Sequence, residues 1–262
     1  HIDTGLQVKI KEAKVDDFSF LNKYGKTATF IKNDLRLLKR SKRARMTVFM
    51  GIGCLFYGLI FASQESVYSE LAGNGFASGM SFFGYLFSTG GFLFMFGSFV
   101  PSWDSQYYPL MMTQNIEYKE YLNSKRSLMI IGTAISAVFA VFIYSFFGLN
   151  AVYAVLAGAF YNIGVNTYLT LWAGAYTKTP IDLNSTAAAF GDKKAFNAKT
   201  MLVGIPQLIL PVLVYSFTSQ YYDQLTGSLA VAFIGILGIF LKPLAFNLIM
   251  KAYKTEKYTT LK

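Results

Sequence analysis

Charged side chains are scarce in this chain. Of its 262 residues, only 15% are charged while 53% are hydrophobic, whereas soluble domains carry roughly 25% charged residues. Cys54 is the single cysteine and His1 the single histidine. This scarcity excludes a disulfide framework and argues against both a thiol or imidazole metal site and histidine-based catalysis. The composition predicts a membrane protein that is not an enzyme and needs no cofactor or metal.

The positive charge is the next feature to explain. The net charge is +10, but the Lys and Arg residues cluster beside long apolar runs, and no stacking-aromatic or zinc-finger module accompanies them. We therefore expect a lipid bilayer, not nucleic acid, as the partner. No basic-then-apolar signal peptide opens the chain, which begins His-Ile-Asp; we expect a processed product or the later part of a longer protein.

Long apolar runs dominate residues 46–250. Each approaches the roughly 20 helical residues that cross a hydrocarbon core about 30 Å thick, and in lipid such runs must be helical to satisfy their backbone groups. The runs are Met46–Ser63, Phe76–Val100, Ser127–Gly148, Ala151–Gly174, Thr200–Gln220 and Gly227–Met250. The predicted fold class is all-α: a polytopic membrane protein with six transmembrane helices, flanked by cytoplasmic segments 1–45 and 251–262.

The links between the runs alternate in charge. Residues 64–75, 149–150 and 221–226 contain no Lys or Arg. The other links and the tail are basic, with Arg36, Lys39, Arg40, Lys42, Arg43 and Arg45, then Lys119, Lys125 and Arg126, then Lys178, Lys193, Lys194 and Lys199, and finally Lys251, Lys254, Lys257 and Lys262. The positive-inside rule places the basic set and both termini in the cytoplasm.

An amphipathic helix is predicted over about 28–45, before the first run. Its apolar positions recur every three or four residues opposite its basic positions; the two sets are Ala28, Ile31, Leu35 and Leu38, and Lys32, Arg36, Lys39 and Arg43. A basic face directed at anionic headgroups would lay this helix along the inner leaflet as an interfacial elbow. The alternative is a solvated helix of a soluble domain.

The link at 101–126 has a distinctive pattern. It begins with an acid, Asp104, soon after the second run, followed by a hydrophobic step at Leu110, Met111 and Met112. A hydrophobic residue, a base, an aromatic-Leu pair, a small residue and a lysine come next; these are Ile116, Lys119, Tyr121, Leu122, Ser124 and Lys125. The pattern resembles the coupling region of type-2 ABC transporter permeases. Long ordered links also tend to be functional. The alternative is an interfacial loop anchored by Trp103, Tyr107 and Tyr108.

The resemblance implies a complete architecture and a set of partners. Such permeases have a surface elbow helix, six spans and both termini inside, and their coupling segment touches an ATPase. The chain would then be one half of an exporter in a bacterial inner membrane, the C-terminal half if its partner half is fused upstream, or one chain of a homodimer. Gly25-Lys26-Thr27 lacks the glycine that a phosphate loop needs at position 20, which is Phe20. Any ATPase must therefore be a separate subunit.

Polar residues inside the runs are candidates for a translocation path. Amides are costly in lipid and should face the helix bundle; the candidates are Asn162, Asn166, Gln207, Lys242 and Asn247. Interhelical hydrogen bonds are the alternative for Asn162 and Asn166, proline kinks for the last two runs, and a cytoplasmic-interface position for Lys242.

Two functional hypotheses follow. The first is the membrane-spanning subunit of an ABC exporter. The second is an ATP-independent membrane protein, either an ion-coupled carrier or a scaffold of an envelope complex. The absence of acids from all six runs counts against a carrier. The sequence does not identify the substrate.

Overall fold

The structure describes residues 19–97, 99–105, 117–176, 183 and 202–256 of the chain and is a computed structural model. Throughout these ranges the regular structure is helical, without a strand. The α-helices are α1 Gly25–Arg40, α2 Lys42–Cys54, α3 Tyr57–Ser63, α4 Glu65–Ala72, α5 Asn74–Gly97, α6 Val100–Trp103, α7 Tyr118–Tyr144, α8 Leu149–Tyr161, α9 Thr167–Gly174, α10 Leu210–Tyr221, α11 Gln224–Phe240 and α12 Lys242–Thr255. Short 3₁₀ helices cover Ser19–Tyr24 and Ser145–Phe147, and π-helices cover Asn162–Asn166 and Ile205–Ile209.

Several of these helices are suited to a bilayer. Four stretches in the described ranges are long and apolar enough to cross a membrane: Lys42–Ser63, Asn74–Gly97, Tyr118–Phe147 and Leu202–Tyr221. The pair α11 and α12, bent by 67°, makes a fifth if it is counted as one span. The prediction of an all-α chain with membrane-spanning helices is thus confirmed at the level of four to five spans.

The predicted fourth span has an unusual composition. Residues 149–174 are helical throughout, with the π-helix Asn162–Asn166 between α8 and α9. This stretch is not among those that meet the length and hydropathy requirement. Asparagines at positions 150, 162 and 166 lower its hydropathy, and its face toward the bundle is buried among other helices.

Helix α5 occupies the centre of the bundle. Its glycines allow close packing: a Cβ on Gly84 would meet the backbone of Gly58, and one on Gly91 would meet Cys54. The pairing of Gly58 with Gly84 and of Gly51 with Phe92 shows that α2 and α3 run antiparallel to α5. Small residues at these contacts let the helix backbones approach closely, and such packing favours helix association in a membrane, where the hydrophobic effect does not drive it.

Helix directions divide the bundle into two ends of opposite charge. Helices α7 and α10 run antiparallel to α5, since Gly97 at the end of α5 lies beside Met129 and Gly75 at its start lies beside Gln220. Links 64–75, 145–150 and 221–226 therefore meet at one end of the bundle. This acidic end has Glu65, Glu70 and Asp223 and no Lys or Arg in those links. We call the opposite end, formed by α1, residues 99–105, the start of α7 and the end of α12, the basic end.

Two predicted elements are divided in the structure. The amphipathic helix predicted over about 28–45 ends at Arg40, because Ser41 has an extended backbone and its side chain accepts the Ala44 N–H as an N-cap for α2. The last predicted span bends at Leu241. Pro243 has no N–H to donate and its ring crowds the carbonyl four residues earlier, so the helix restarts there as α12.

Candidate functional site at the basic end

A buried ion cluster joins three parts of the chain at the basic end. The Lys125 ammonium lies 2.5 Å from Asp34 Oδ1 and 2.7 Å from Asp104 Oδ2, and none of the three side chains is more than 3% exposed. The Tyr121 hydroxyl donates to Asp104 Oδ2 at 2.8 Å. We call these four residues the lysine cluster. It connects α1, the residue after α6 and the first turns of α7.

Local sequence explains how α7 presents its two members. Tyr121 and Lys125 are four residues apart and therefore share a helix face. The ammonium lies 5.3 Å from the centroid of the Tyr121 ring and 6.0 Å from that of Phe96. On the other side, the Trp103 indole donates to the Phe96 carbonyl at 2.9 Å, which fixes the short helix that carries Asp104.

The cluster contains one more negative than positive charge when all three groups are ionised. Burial raises the pKa of the Asp34 carboxyl from 3.8 to about 6, with repulsion from Asp104 adding to the increase and the Lys125 ammonium opposing it. Asp34 Oδ2 is buried and has no hydrogen-bond partner among the described residues. A proton on Asp34 would leave Asp104 and Lys125 as a neutral pair.

The structure brings part of the predicted coupling segment together. Asp104, Tyr121 and Lys125 meet in the lysine cluster, while Leu122 is buried in the apolar core around it and Lys119 is exposed. The predicted residues Leu110, Met111, Met112 and Ile116 lie outside the described residues.

Sequence reasoning missed Asp34. It stands three residues after Ile31, on the apolar face of α1, and both are buried. A lone acid on the apolar face of an otherwise basic helix was the available signal, because a charge in such a position needs a buried partner.

A second polar network lies within the bundle around the predicted fourth span. Asn162 Nδ2 donates to the Leu86 carbonyl at 3.0 Å and to Thr89 Oγ1 at 2.9 Å. Asn166 Nδ2 donates to Asn162 Oδ1 at 2.7 Å. Both asparagines are fully buried. Asn162 thus forms hydrogen bonds to α5, and interhelical bonds of this kind were the alternative to a translocation path.

The network continues to Gln207 through carbonyls that the helix leaves free. Pro211 has no N–H for the Gln207 carbonyl, and this oxygen accepts Asn166 Nδ2 at 3.2 Å. In the π-helix the Leu210 N–H bonds to the Ile205 carbonyl, so the Pro206 carbonyl can accept the Tyr161 hydroxyl at 2.6 Å. The Gln207 side chain itself donates to Thr170 Oγ1 at 2.7 Å.

Lys242 and Asn247 do not join this network. Both are exposed on α12. The Lys242 ammonium lies 5.5 Å from the centroid of the Phe246 ring and near enough to Arg126 and Lys119 to interact with their charges. Lys242 therefore lies near the first turns of α7, at the basic end.

No curated protein and no solved structure matches the chain. A family described as "Family of unknown function (DUF5687)" matches residues 1–262, and the chain therefore belongs to that family.

Proposed function

We propose that this protein is the membrane-spanning permease subunit of an ABC-type exporter, with ATP hydrolysed by a separate subunit that docks on the segment from Asp104 to Lys125. The observation that carries the proposal is the lysine cluster, which joins the two ends of that segment to each other and to α1. A segment held at both ends by buried charges is suited to transmit a displacement to the helices that carry those ends.

The energetics favour movement as one unit. Removing one partner from a buried ion pair costs about 3–5 kcal/mol because the other charge stays buried and uncompensated. A push on the segment would therefore displace α7 through Lys125, α5 through Asp104 and α6, and α1 through Asp34 before it separated these groups. Helix α7 packs directly against both α5 and α1, so the bundle core would share the movement.

The remaining architecture belongs to the same proposal. We place six spans in a bacterial inner membrane, with α1 as the interfacial elbow, both termini cytoplasmic and a second permease half supplied by fusion or dimerisation. Support comes from α1, the two ends of the coupling segment and the end of α12, which lie at one end of the bundle. The positive-inside rule makes this the cytoplasmic end.

The translocation path is proposed to involve the asparagine network. π-Helical turns occur frequently at functional sites, and here two of them, Asn162–Asn166 and Ile205–Ile209, are linked by the Asn166–Gln207 contact. A rearrangement of these turns would expose amides to a substrate. Lys242 and Asn247 would contact a substrate only at the basic end.

The docking surface is tested best at Lys119. Charged substitutions at Tyr121 or Leu122 would disrupt the core, since both side chains are at most 1% exposed. Lys119, in contrast, is exposed. The full tagged chain would be extracted from its native membrane in mild detergent, and the copurified ATPase activity measured. We expect Lys119→Glu to lower that activity about tenfold, equivalent to roughly 1.4 kcal/mol of binding.

Lys254→Glu is the matched control, because Lys254 is also exposed at the basic end but lies on α12. It should leave the copurified ATPase activity unchanged. An extract of wild-type protein with no ATP-hydrolysing subunit, or an equal loss in both variants, would contradict the coupling proposal and favour the ATP-independent scaffold.

A further inference from the structure

A polar cavity opens at the acidic end of the bundle. Its volume is about 320 Å³, at the lower end of the range for small-molecule sites. The polar residues that line it come from α4, α5, α8, α10 and α11 and are Glu65, Ser78, Ser81, Tyr85, Asn150, Tyr215 and Gln224. Neither the lysine cluster nor the asparagine network contributes to it.

Among the described residues that line the cavity, only Glu65 is charged. Its carboxylate accepts Ser81 Oγ at 3.3 Å and Gln224 Nε2 at 3.1 Å. No Lys or Arg occurs in the links that form this end, at 64–75, 145–150 and 221–226, and within the described residues the carboxylate has no ion-pair partner. Asp223 adds a further negative charge nearby. The cavity is therefore at negative potential and attracts cations.

The Tyr85 hydroxyl is an unpaired polar group in the lining. Tyr85 is 5% exposed, and its hydroxyl makes no hydrogen bond in the part of the chain that the structure describes. The hydroxyl oxygen is not one of the fully buried unpaired atoms of the described residues, so it is accessible from the cavity that Tyr85 lines. Its position in the cavity wall makes a ligand the natural partner.

Aromatic rings complete the lining. Tyr85 packs edge-on against Tyr144, with centroids 5.0 Å apart, and Tyr215 stacks on Phe82 at 4.4 Å. These contacts hold both tyrosines in place around the cavity. Aromatic faces beside a carboxylate are suited to an organic cation, which gains both a charge partner and cation–π contacts.

We propose that this cavity binds a small organic ammonium ion, with Glu65 as the counter-ion, Tyr85 as a hydrogen-bond partner and the tyrosine rings around the alkyl groups. The volume favours an organic cation over a bare metal ion, which would leave most of the space empty. The proposal needs no ATPase and stands independently of the transport function.

Choline is a suitable probe because 3,3-dimethyl-1-butanol is its neutral isostere. Binding of radiolabelled choline to the purified full-length chain in lipid nanodiscs would be measured by equilibrium dialysis. We expect saturable binding that excess unlabelled choline abolishes and an equal excess of the neutral isostere leaves intact. Glu65→Gln should weaken it at least tenfold, by about 1.4 kcal/mol or more.

Two further variants separate binding from folding. Glu70→Gln removes an exposed acid of the same helix outside the cavity and should bind like the wild type. Asn150→Trp fills the cavity from an exposed position in its wall and should abolish binding while the protein elutes normally on size exclusion. Absence of saturable binding to the wild type, equal competition by the neutral isostere, or full binding by Glu65→Gln would overturn the proposal.

Discussion

At the scale of single residues, the basic end depends on how Lys125 is compensated. Its side chain is 1% exposed and its ammonium contacts two carboxylates. In a low-dielectric interior, a buried ion that has lost its partner destabilises the folded state by more than the intact ion pair stabilises it. The three charges are therefore best regarded as a unit whose members cannot be removed singly without penalty.

Substitution of Lys125 by Met should destabilise the protein strongly. Lys125→Met leaves Asp34 and Asp104 facing each other without a counter-ion, and we expect a loss of about 3–5 kcal/mol. Thermal unfolding in detergent, followed by tryptophan fluorescence, measures this, since Trp103 stacks on Phe96 beside the cluster. The triple variant that also carries Asp34→Asn and Asp104→Asn should recover most of the loss, and a triple variant as unstable as Lys125→Met would contradict this account.

Asp34 should make stability depend on pH in a defined direction. Because its pKa is raised from 3.8 to about 6 in the folded state, the folded chain holds a proton there that the unfolded chain has lost. The contribution of Asp34 to stability therefore falls as pH rises from about 4 through about 6 and is constant above that range. Melting curves of Asp34→Asn should show a smaller decline between these pH values than the wild type. Identical pH profiles would show that Asp34 titrates normally.

The residues of the lysine cluster differ in whether the sequence alone could identify them. Asp104, Tyr121 and Lys125 were selected from their pattern in the link, and the structure places all three in contact. Asp34 is 91 positions from Lys125 in the chain, and nothing local in α1 specifies which base it meets. Only the packing of α1 against α7 determines that pair.

At the scale of elements, proline and glycine explain the irregularities. Pro211 releases the Gln207 carbonyl, which Asn166 then satisfies, and Pro243 accounts for the bend between α11 and α12. These positions were predicted as kinks, since proline removes a backbone donor wherever it stands. The π-helices were not predicted, because they depend on side chains of neighbouring helices that accept or donate to the freed backbone groups.

The crossing of α11 with the π-helix at Asn162–Asn166 should tolerate no added methyl group. A Cβ on Gly164 would collide with the Gly235 backbone carbonyl, and overpacking of this kind costs about 1–3 kcal/mol. Gly53→Ala is the control, since nothing lies within 4 Å of a Cβ there, and alanine is favoured over glycine in a helix. We expect Gly164→Ala to lower the melting temperature and Gly53→Ala to preserve or raise it. Equal effects of the two would indicate that the crossing is looser than described.

At the scale of the whole molecule, charge separates the two ends of the bundle. Helix directions bring the links without Lys or Arg to one end and the basic elements to the other. In a bilayer this separation of charge predicts an orientation, because the positive-inside rule places the basic end in the cytoplasm.

This orientation predicts the result of cysteine labelling. In a Cys54→Ala background, which lacks the only native thiol, Glu70→Cys and Lys254→Cys each place one exposed thiol at opposite ends. Intact cells treated with a membrane-impermeant maleimide should label the first variant, while the second should react only after permeabilisation. Labelling of Lys254→Cys in intact cells would reverse the proposed orientation.

The sequence by itself determined three features: apolar runs suited to a bilayer, an all-helical fold, and the difference in charge between the two sets of links. Backbone groups in lipid have few alternatives to a helix, and these features follow from composition and run length alone. Tertiary structure decided which polar groups meet: the partnership of Asp34 with Lys125, the bond from Asn166 to the carbonyl freed by Pro211, and the cavity that collects Glu65 and Tyr85 from separate helices. Such contacts arise between residues distant in the chain, so their pairing is set by how the helices pack and not by the pattern within any one of them.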